Sequence, residues 1–368
     1  MGVKRGVGSA GPQGKRETPL LDAHKRLGAR IVEFGGWDMP LQYSGVVAEH
    51  NAVRNAVGVF DVSHLGKLRV KGPRGTAALQ HAVTANIEVL EVGAATYALV
   101  LTEEGGAVDD IFVYRIAEHE WLAVPNAANV AAVAEMIEAS GARPIDEWDR
   151  WAILAVQGPS SFEVFGKAFP DSGATDLKLH RFGPLDVGGE EGMVARTGYT
   201  GERGFELYAP AATARWALDA LLEHGAEPVG LGARDTLRLE MGYALYGHEL
   251  TRDINPLEAG LGWAVKWDAD FRGRAALAEV KEAGAARRLF GVVCRGRGVP
   301  RQGYSVFTGD TELGRLTSGN FSPTLQTGIG LALGPRALKP EIGARVEIDA
   351  RGRRIEGDIV KPPFVKKT

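Results

Sequence analysis

Residues 105–114 read Gly-Gly-Ala-Val-Asp-Asp-Ile-Phe-Val-Tyr: a Gly-Gly turn, then an apolar run opened by two adjacent carboxylates. Side chains on a strand alternate between its two faces. Asp110, Phe112 and Tyr114 therefore share one face, and Asp109, Ile111 and Val113 share the other. The apolar run 96–101 lies just before the 103–106 turn, which makes the pair a β-hairpin by spacing. A carboxylate beside two aromatic rings on an interior-facing side is either paired there or used.

The rest of the chain alternates strand and helix patterns. Thr18-Pro19-Leu20 opens a helix that Gly28 stops. A short strand is predicted at 31–34, and Pro40 predicts an irregular segment at 39–41. Helices are predicted at 46–55, 75–83 and 127–140, and strands at 57–62, 68–71 and 121–124. A second unit begins near Glu147 with a strand at 151–157 and a helix at 161–168. Strands at 191–196 and 205–209 then flank a glycine-rich loop, and helices follow at 211–224, 232–241 and 271–283. Because several strands are hairpin-related, α+β fits better than a doubly wound sheet. From about residue 289, short strands recur at roughly ten-residue spacing with Gly and Pro turns, the pattern of a small barrel or sandwich. The implied organisation is a disordered lead-in (1–17), two α+β domains (18–146 and 147–284) and a C-terminal β domain (285–368).

Charge excludes several classes of function. Lys and Arg total 43 against 46 Asp and Glu, a net charge of −3, so no bulk attraction to nucleic acid or membrane is expected. The single cysteine, Cys294, rules out an intrachain disulfide and a cysteine zinc cluster; its apolar surroundings predict a buried small hydrophobe rather than a reactive thiol. No apolar run is long enough to span a bilayer, and the N-terminus lacks the apolar core of a secretory signal. The eight histidines show no metal-ligand spacing. His64 follows Asp61-Val62-Ser63 without making a triad and reads as a satisfied structural histidine, while His248 either faces a cleft or caps a helix.

Two further stretches carry chemistry. The loop 197–206 reads Thr-Gly-Tyr-Thr-Gly-Glu-Arg-Gly-Phe-Glu, and glycines at that density either make a tight strand connection or let backbone approach a ligand. Tyr199 offers a flat face and a hydroxyl; Glu206 could accept two donors from one heterocycle edge, or be a plain surface carboxylate. The run 230–240, Gly-Leu-Gly-Ala-Arg-Asp-Thr-Leu-Arg-Leu-Glu, lacks the third glycine of a dinucleotide fingerprint. Arg234 in a first helical turn opposes the helix dipole, so it faces an anion or pairs with an acidic neighbour. Arg238 falls on the same helical face. This polar–aromatic set has no obvious nucleophile and suits an enzyme whose substrate brings its own reactive nitrogen.

At this point a resemblance is specific. The chain resembles the T-protein family of the glycine cleavage system, tetrahydrofolate-dependent aminomethyltransferases, from Thr18-Pro19-Leu20 to Pro363-Phe364. The matching motifs include Gly36-Trp37, Phe60-Asp61-Val62-Ser63-His64, Gly105-Gly106 with Asp109-Asp110, and Ala155-Val156-Gln157-Gly158-Pro159. They continue with Gly198-Tyr199-Thr200-Gly201-Glu202, the 230–240 run, Leu245-Tyr246-Gly247 and Thr317-Ser318-Gly319. The resemblance implies a three-domain cloverleaf, two α+β domains followed by a small C-terminal β-barrel, with folate in the central opening. By that likeness Asp110 is the essential carboxylate, and Tyr97, Tyr114, Asn126, Tyr199, Glu206 and Arg234 line the folate site. The implied reaction moves the methylene of the aminomethyl group on lipoylated H-protein to tetrahydrofolate. It releases ammonia and leaves 5,10-methylenetetrahydrofolate and dihydrolipoyl H-protein.

No metal and no nucleic-acid or membrane partner is expected, and a cytoplasmic location is (the mitochondrial matrix in a eukaryote). Two other classes compete. A folate-dependent demethylase relative often carries a flavin oxidase domain, for which 368 residues leave no room. A non-catalytic folate-binding repair factor would carry a cysteine motif in the Tyr199 loop, which has none. Leu65 and Met241-Gly242-Tyr243 depart from the family pattern, the latter with consequences for cleft packing.

Overall fold

The computed structural model describes residues 15–338 and 341–366. Its N-terminal region holds, beside a small three-stranded sheet, two larger sheets whose inner faces meet. The first is an antiparallel five-stranded sheet in the order Ala95–Leu101, Ala107–Ala117, Glu120–Val124, Leu68–Lys71, Ile145–Asp146. The second has six strands in the order Phe182–Val187, Glu190–Ala195, Gly204–Pro210, Trp151–Gln157, Gly58–Asp61, Glu227–Val229. Gly58–Asp61 precedes the first sheet in the chain yet lies in the second, beside Trp151–Gln157. Sheet and helix thus combine as two α+β domains followed by a barrel.

Each sheet buries its outer face under helices. Val70, Ile111, Val113 and Trp121 pack with Leu79 of helix Gly72–Ala82 and Val133 and Ile137 of helix Val130–Ala139. Leu154, Val156, Phe205 and Leu207 pack with Phe165 of helix Ser161–Ala168 and Leu218 and Leu221 of helix Ala214–Glu223. The strand Trp151–Gln157 is buried at every residue, which explains its unbroken apolar sequence: it is covered on both faces. Between the sheets, Tyr114, Leu122, Ile153, Ala155 and Tyr208 share a third core with Ala233 and Leu237 of helix Leu231–Glu240.

The C-terminal segment closes into a six-stranded barrel. The recurring short strands read from the sequence are present, and the strand that closes the barrel, Arg353–Val360, joins Arg287–Cys294 to Arg345–Ala350. It has only Ile355, Gly357 and Ile359 buried among charged residues, too sparse an alternation to stand out locally. The barrel's first strand, Arg287–Cys294, starts two residues ahead of the run read from about residue 289. Cys294 is buried, and burial raises its thiol to about 11.

Three other local expectations change. Pro40 sits inside a strand, Trp37–Gln42, rather than in an irregular segment. The register slips where it meets Ile31, and the parallel partner Arg16–Glu17 reaches only Trp37 and Asp38, so the missing N–H interrupts no ladder. Arg16 and Glu17, expected in a disordered lead-in, form that short strand, with the Arg16 guanidinium 4.2 Å from the Trp148 ring centroid; residues 1–14 of the lead-in lie outside the described residues. The strand Phe182–Val187 escaped notice because Gly183 and Pro184 interrupt it, which an edge position tolerates.

The Gly-Gly turn has a packing reason. A Cβ on Gly106 would lie 1.8 Å from the Arg252 carbonyl oxygen, and the Ala107 N–H donates to the Thr251 carbonyl at 3.0 Å. The turn brings the hairpin against residues 251–254. Gly106→Ala should therefore cost about 1–3 kcal/mol, the usual penalty for forced overpacking. Thermal unfolding checks this, and a wild-type melting temperature would mean that the contact does not hold the hairpin.

Candidate active site

Strand parity divides the two carboxylates as the alternation requires. Asp109 is fully buried on the helix-covered side. It accepts the Asn126 backbone N–H at 2.9 Å, Asn126 Nδ2 at 2.8 Å and Asn129 Nδ2 at 2.7 Å. Asp110 is half-buried on the face of Phe112 and Tyr114. The Tyr97 hydroxyl donates to its Oδ2 at 3.0 Å, and Asn126 Nδ2 reaches its Oδ1 and its carbonyl, each at 3.2 Å. Tyr97 arrives because it is the cross-strand partner of Phe112.

The donors that reach both carboxylates are amides and a phenol rather than cations. Burial therefore dominates the proton affinity. It raises Asp110 to about 6, against the pull of the Tyr97 and Asn126 hydrogen bonds. Asp109 is raised as well, by burial first and then by the neighbouring Asp110; its amide donors oppose this without reversing it.

A second group lies close to the first. Tyr199 lies in the glycine-rich loop that leads into strand Gly204–Pro210. Its hydroxyl donates to the Ala244 carbonyl, and its ring stacks on Tyr243 with centroids 5.8 Å apart and planes at 27°. The Arg234 guanidinium lies 4.7 Å from the Tyr199 ring centroid, within cation–π range. Among the described residues it forms no hydrogen bond or ion pair. Glu206 accepts the Thr197 hydroxyl at 2.5 Å, and burial raises its carboxyl against the pull of Thr197, Arg234 and Tyr114. Asp110 and Arg234 both act electrostatically on the Tyr199 hydroxyl, and Tyr199 acts on Tyr97, so the two groups converge.

All seven residues singled out in the sequence thus fall in one region, in different circumstances. Tyr97, Asp110, Tyr199 and Arg234 are half-buried. Tyr114 is enclosed, its hydroxyl accepting that of Tyr208 at 3.0 Å. Asn126 is engaged by the two carboxylates. Arg238 is the structural arginine of its helix: it bonds Asp235 at 2.9 Å, Glu249 at 3.1 Å and Ser318 at 2.9 Å and is 2% exposed.

Other site features were not anticipated. Trp263, 62% exposed, stacks on Tyr97 with centroids 5.4 Å apart. Asn129 holds Asp109, and Glu249 adds to the rise at Asp110. A lone tryptophan in Gly-Leu-Gly-Trp was the only local signal for Trp263, and Tyr243 lay in the run that departs from the family pattern. His64, read as satisfied, is buried with Nδ1 lacking a partner. Burial and then Arg234 lower its imidazole to about 3. His248 turns to the barrel, its Nδ1 2.9 Å from the Thr317 carbonyl. Among the described residues no group of three or more His, Cys, Asp or Glu could hold a metal ion, and no helix is long and apolar enough to cross a membrane.

The chain is similar throughout its length to proteins of one family. Residues 20–269 match the GCVT N-terminal domain, and residues 287–366 match the glycine cleavage T-protein C-terminal barrel domain. An aminomethyltransferase of Mycobacterium bovis is 49% identical over 356 residues, covering 94% of this chain and 96% of its own. One from Listeria monocytogenes is 44% identical over 360 residues, covering 95% and 98%. The crystal structure of the glycine cleavage system aminomethyltransferase T from Bartonella henselae superposes with a TM-score of 0.88 at 32% identity, covering 96% of this chain and 98% of that one. With both family domains matched in order and nearly the whole length aligned, this chain belongs to the glycine cleavage T-protein family.

Proposed function

We propose that this chain is the tetrahydrofolate-dependent aminomethyltransferase of a glycine cleavage system. It takes the methylene of the aminomethyl-lipoyl group on H-protein to tetrahydrofolate, with release of ammonia and dihydrolipoyl H-protein. The single observation that carries this reading is the unpaired Arg234 guanidinium laid on the Tyr199 ring beside Glu206, in the same cleft as a half-buried Asp110. A free buried-side cation, a carboxylate acceptor and two aromatic faces fit a flat heterocycle with N–H donors and a carboxylate tail. When bound, tetrahydrofolate supplies the nitrogens that accept the one-carbon unit.

The residues of the chain then divide the work. Tyr199 and Tyr97 offer aromatic faces, Glu206 accepts ring donors and Arg234 pairs a carboxylate. Tyr114 and Asn126 act from behind, Tyr114 beside Glu206 and Asn126 on Asp110. Asp110, in its ionised form, orients an N–H of the acceptor and takes a proton as the amine leaves, a contribution of roughly 10²–10⁴-fold in rate. Tyr97 holds that carboxylate in place from the solvent-facing side, under Trp263. H-protein is the implied partner, and a cytoplasmic setting fits the bacterial relatives.

Three measurements test this. Asp110→Asn should lose about 10²–10⁴-fold in turnover with reconstituted lipoylated H-protein while still binding tetrahydrofolate; full turnover would overturn the assignment. Arg234→Ala should weaken tetrahydrofolate binding by about 1.5–3 kcal/mol, the range for a hydrogen bond to a charged group. Its melting temperature should hold, because no ion pair is lost; wild-type affinity by calorimetry would remove Arg234 from the site.

The third measurement is the pH profile. Asp110 is raised from 3.8 to about 6 and works ionised, so kcat/KM should fall as pH drops through about 6. The sign for stability is opposite. A carboxyl whose folded pKa is raised favours the fold below the unfolded pKa, and that contribution is lost as pH rises through the folded value. The ligand-free chain should thus melt lower at pH 7.5 than Asp110→Asn does, relative to their difference near pH 4. An acid limb in kcat/KM that persists unchanged in the residual activity of Asp110→Asn would assign the titration to another group.

A further inference from the structure

The Tyr199 loop has little to hold its shape except polar contacts. Gly201 lies at φ +82°, and a Cβ there would meet Met241 Sδ at 2.4 Å, so the loop is laid flat on that side chain. Thr200 Oγ1 donates to Gln157 Oε1 at 2.9 Å and accepts the Glu202 N–H at 3.2 Å. Besides these and the Tyr199 hydroxyl bond to the Ala244 carbonyl, a charged tie comes from far away in sequence. Arg54, on helix Val46–Asn55, donates Nη1 to the Thr200 carbonyl at 2.8 Å and to Glu202 Oε1 at 2.7 Å. Both side chains are 11% exposed, so solvent screens the pair little.

The other edge of the same guanidinium is anchored. Nε and Nη2 bond Glu240 Oε2 at 3.1 and 2.9 Å, at the end of helix Leu231–Glu240, which carries Arg234 in its first turn. Glu240 is fully buried and also accepts the Ser322 hydroxyl at 2.5 Å, the Thr324 hydroxyl at 2.9 Å and the Thr324 N–H at 3.1 Å from the barrel. Burial would raise its carboxyl, but His50, Ser322 and Arg54 hold it down to about 2. The planar fork of an arginine suits this double duty, because its donors on two edges are fixed relative to each other.

We propose that Arg54 is a positioning residue for the transfer reaction: through Glu202 and the Thr200 carbonyl it sets the Tyr199 loop at the height the folate needs, using Glu240 and the barrel as its fixed point. This rests on the reading that Tyr199 contacts tetrahydrofolate. Arg54 itself touches none of the seven site residues, and its effect passes through the loop backbone. The consequence is that barrel docking and folate binding are coupled through one side chain.

The test uses the full chain, with tetrahydrofolate affinity by calorimetry, thermal unfolding, and kcat and KM with lipoylated H-protein. Arg54→Met risks misfolding, since it strands the Glu240 carboxylate, so Glu202→Ala is the leading variant: it removes the charged half of the Arg54 clamp on the loop while leaving Arg54 on Glu240 and on the Thr200 carbonyl. The dissociation constant for tetrahydrofolate should rise about tenfold, within the range for residues that couple sites without touching ligand, and KM should rise by more than kcat falls. Glu202→Gln, which keeps an acceptor oxygen, should recover part of the affinity. A Glu202→Ala protein that melts lower but binds tetrahydrofolate like wild type overturns the proposal and leaves Arg54 a structural residue. Tyr199→Ala separates the two readings. If it weakens binding while Glu202→Ala does not, only the positioning role fails; if it does not weaken binding, the folate contact fails and the positioning role with it.

Discussion

The structure depends on the two-sided burial of strand Ala107–Ala117. Its period of two sends Ile111 and Val113 into the helix-covered core and Phe112 and Tyr114 into the space between the sheets. A slip of one residue would exchange those faces and put Asp110 under the helices. Burial of side chains this size is worth roughly 1.5–3 kcal/mol each, so several of them together hold the register firmly. Chemistry at Asp110 is therefore secured by packing on the opposite side of the same strand.

Electrostatics then distinguishes the two carboxylates. Asp109 is surrounded by amide N–H donors from Asn126 and Asn129, which satisfy its lone pairs without bringing a compensating charge. Burial consequently raises both members of the pair. An arginine in place of Asn126 would have done the reverse, pinning Asp110 as a permanent anion. Amide satisfaction is what leaves a carboxylate able to exchange a proton near neutrality.

The helix Leu231–Glu240 shows the same division among its charged residues. Arg238 and Glu240 are sealed against the barrel by Ser318, Ser322 and Thr324, while Arg234, one turn earlier, has only an aromatic ring beneath it. One helix thus carries both the fastening to the barrel and the open cation of the cleft. Glu249 belongs to both, bonding Arg238 and Thr317 while raising Asp110.

Local pattern in the sequence was enough for most elements, for the strand parity that isolates Asp110, and for the family through ordered motifs along the chain. Those signals depend on neighbours within one turn or one strand, where backbone period governs which side chains share a face. Partners distant in sequence were not legible. The Arg234 and Arg238 side chains share a helical face, yet the barrel's Ser318 and Glu249 beyond the helix, together with Asp235 on it, make Arg238 structural while Arg234 has no such partners. Tyr114 looked like a lining residue until the second sheet placed Tyr208 over it. Pro40 inside a strand, the sparse sixth barrel strand and the stack of Trp263 on Tyr97 all rest on pairings across the fold. Sequence determined which groups were available and which way each strand faced; tertiary structure alone decided which polar groups were satisfied, because hydrogen-bond partners in this protein come from segments up to 274 residues apart.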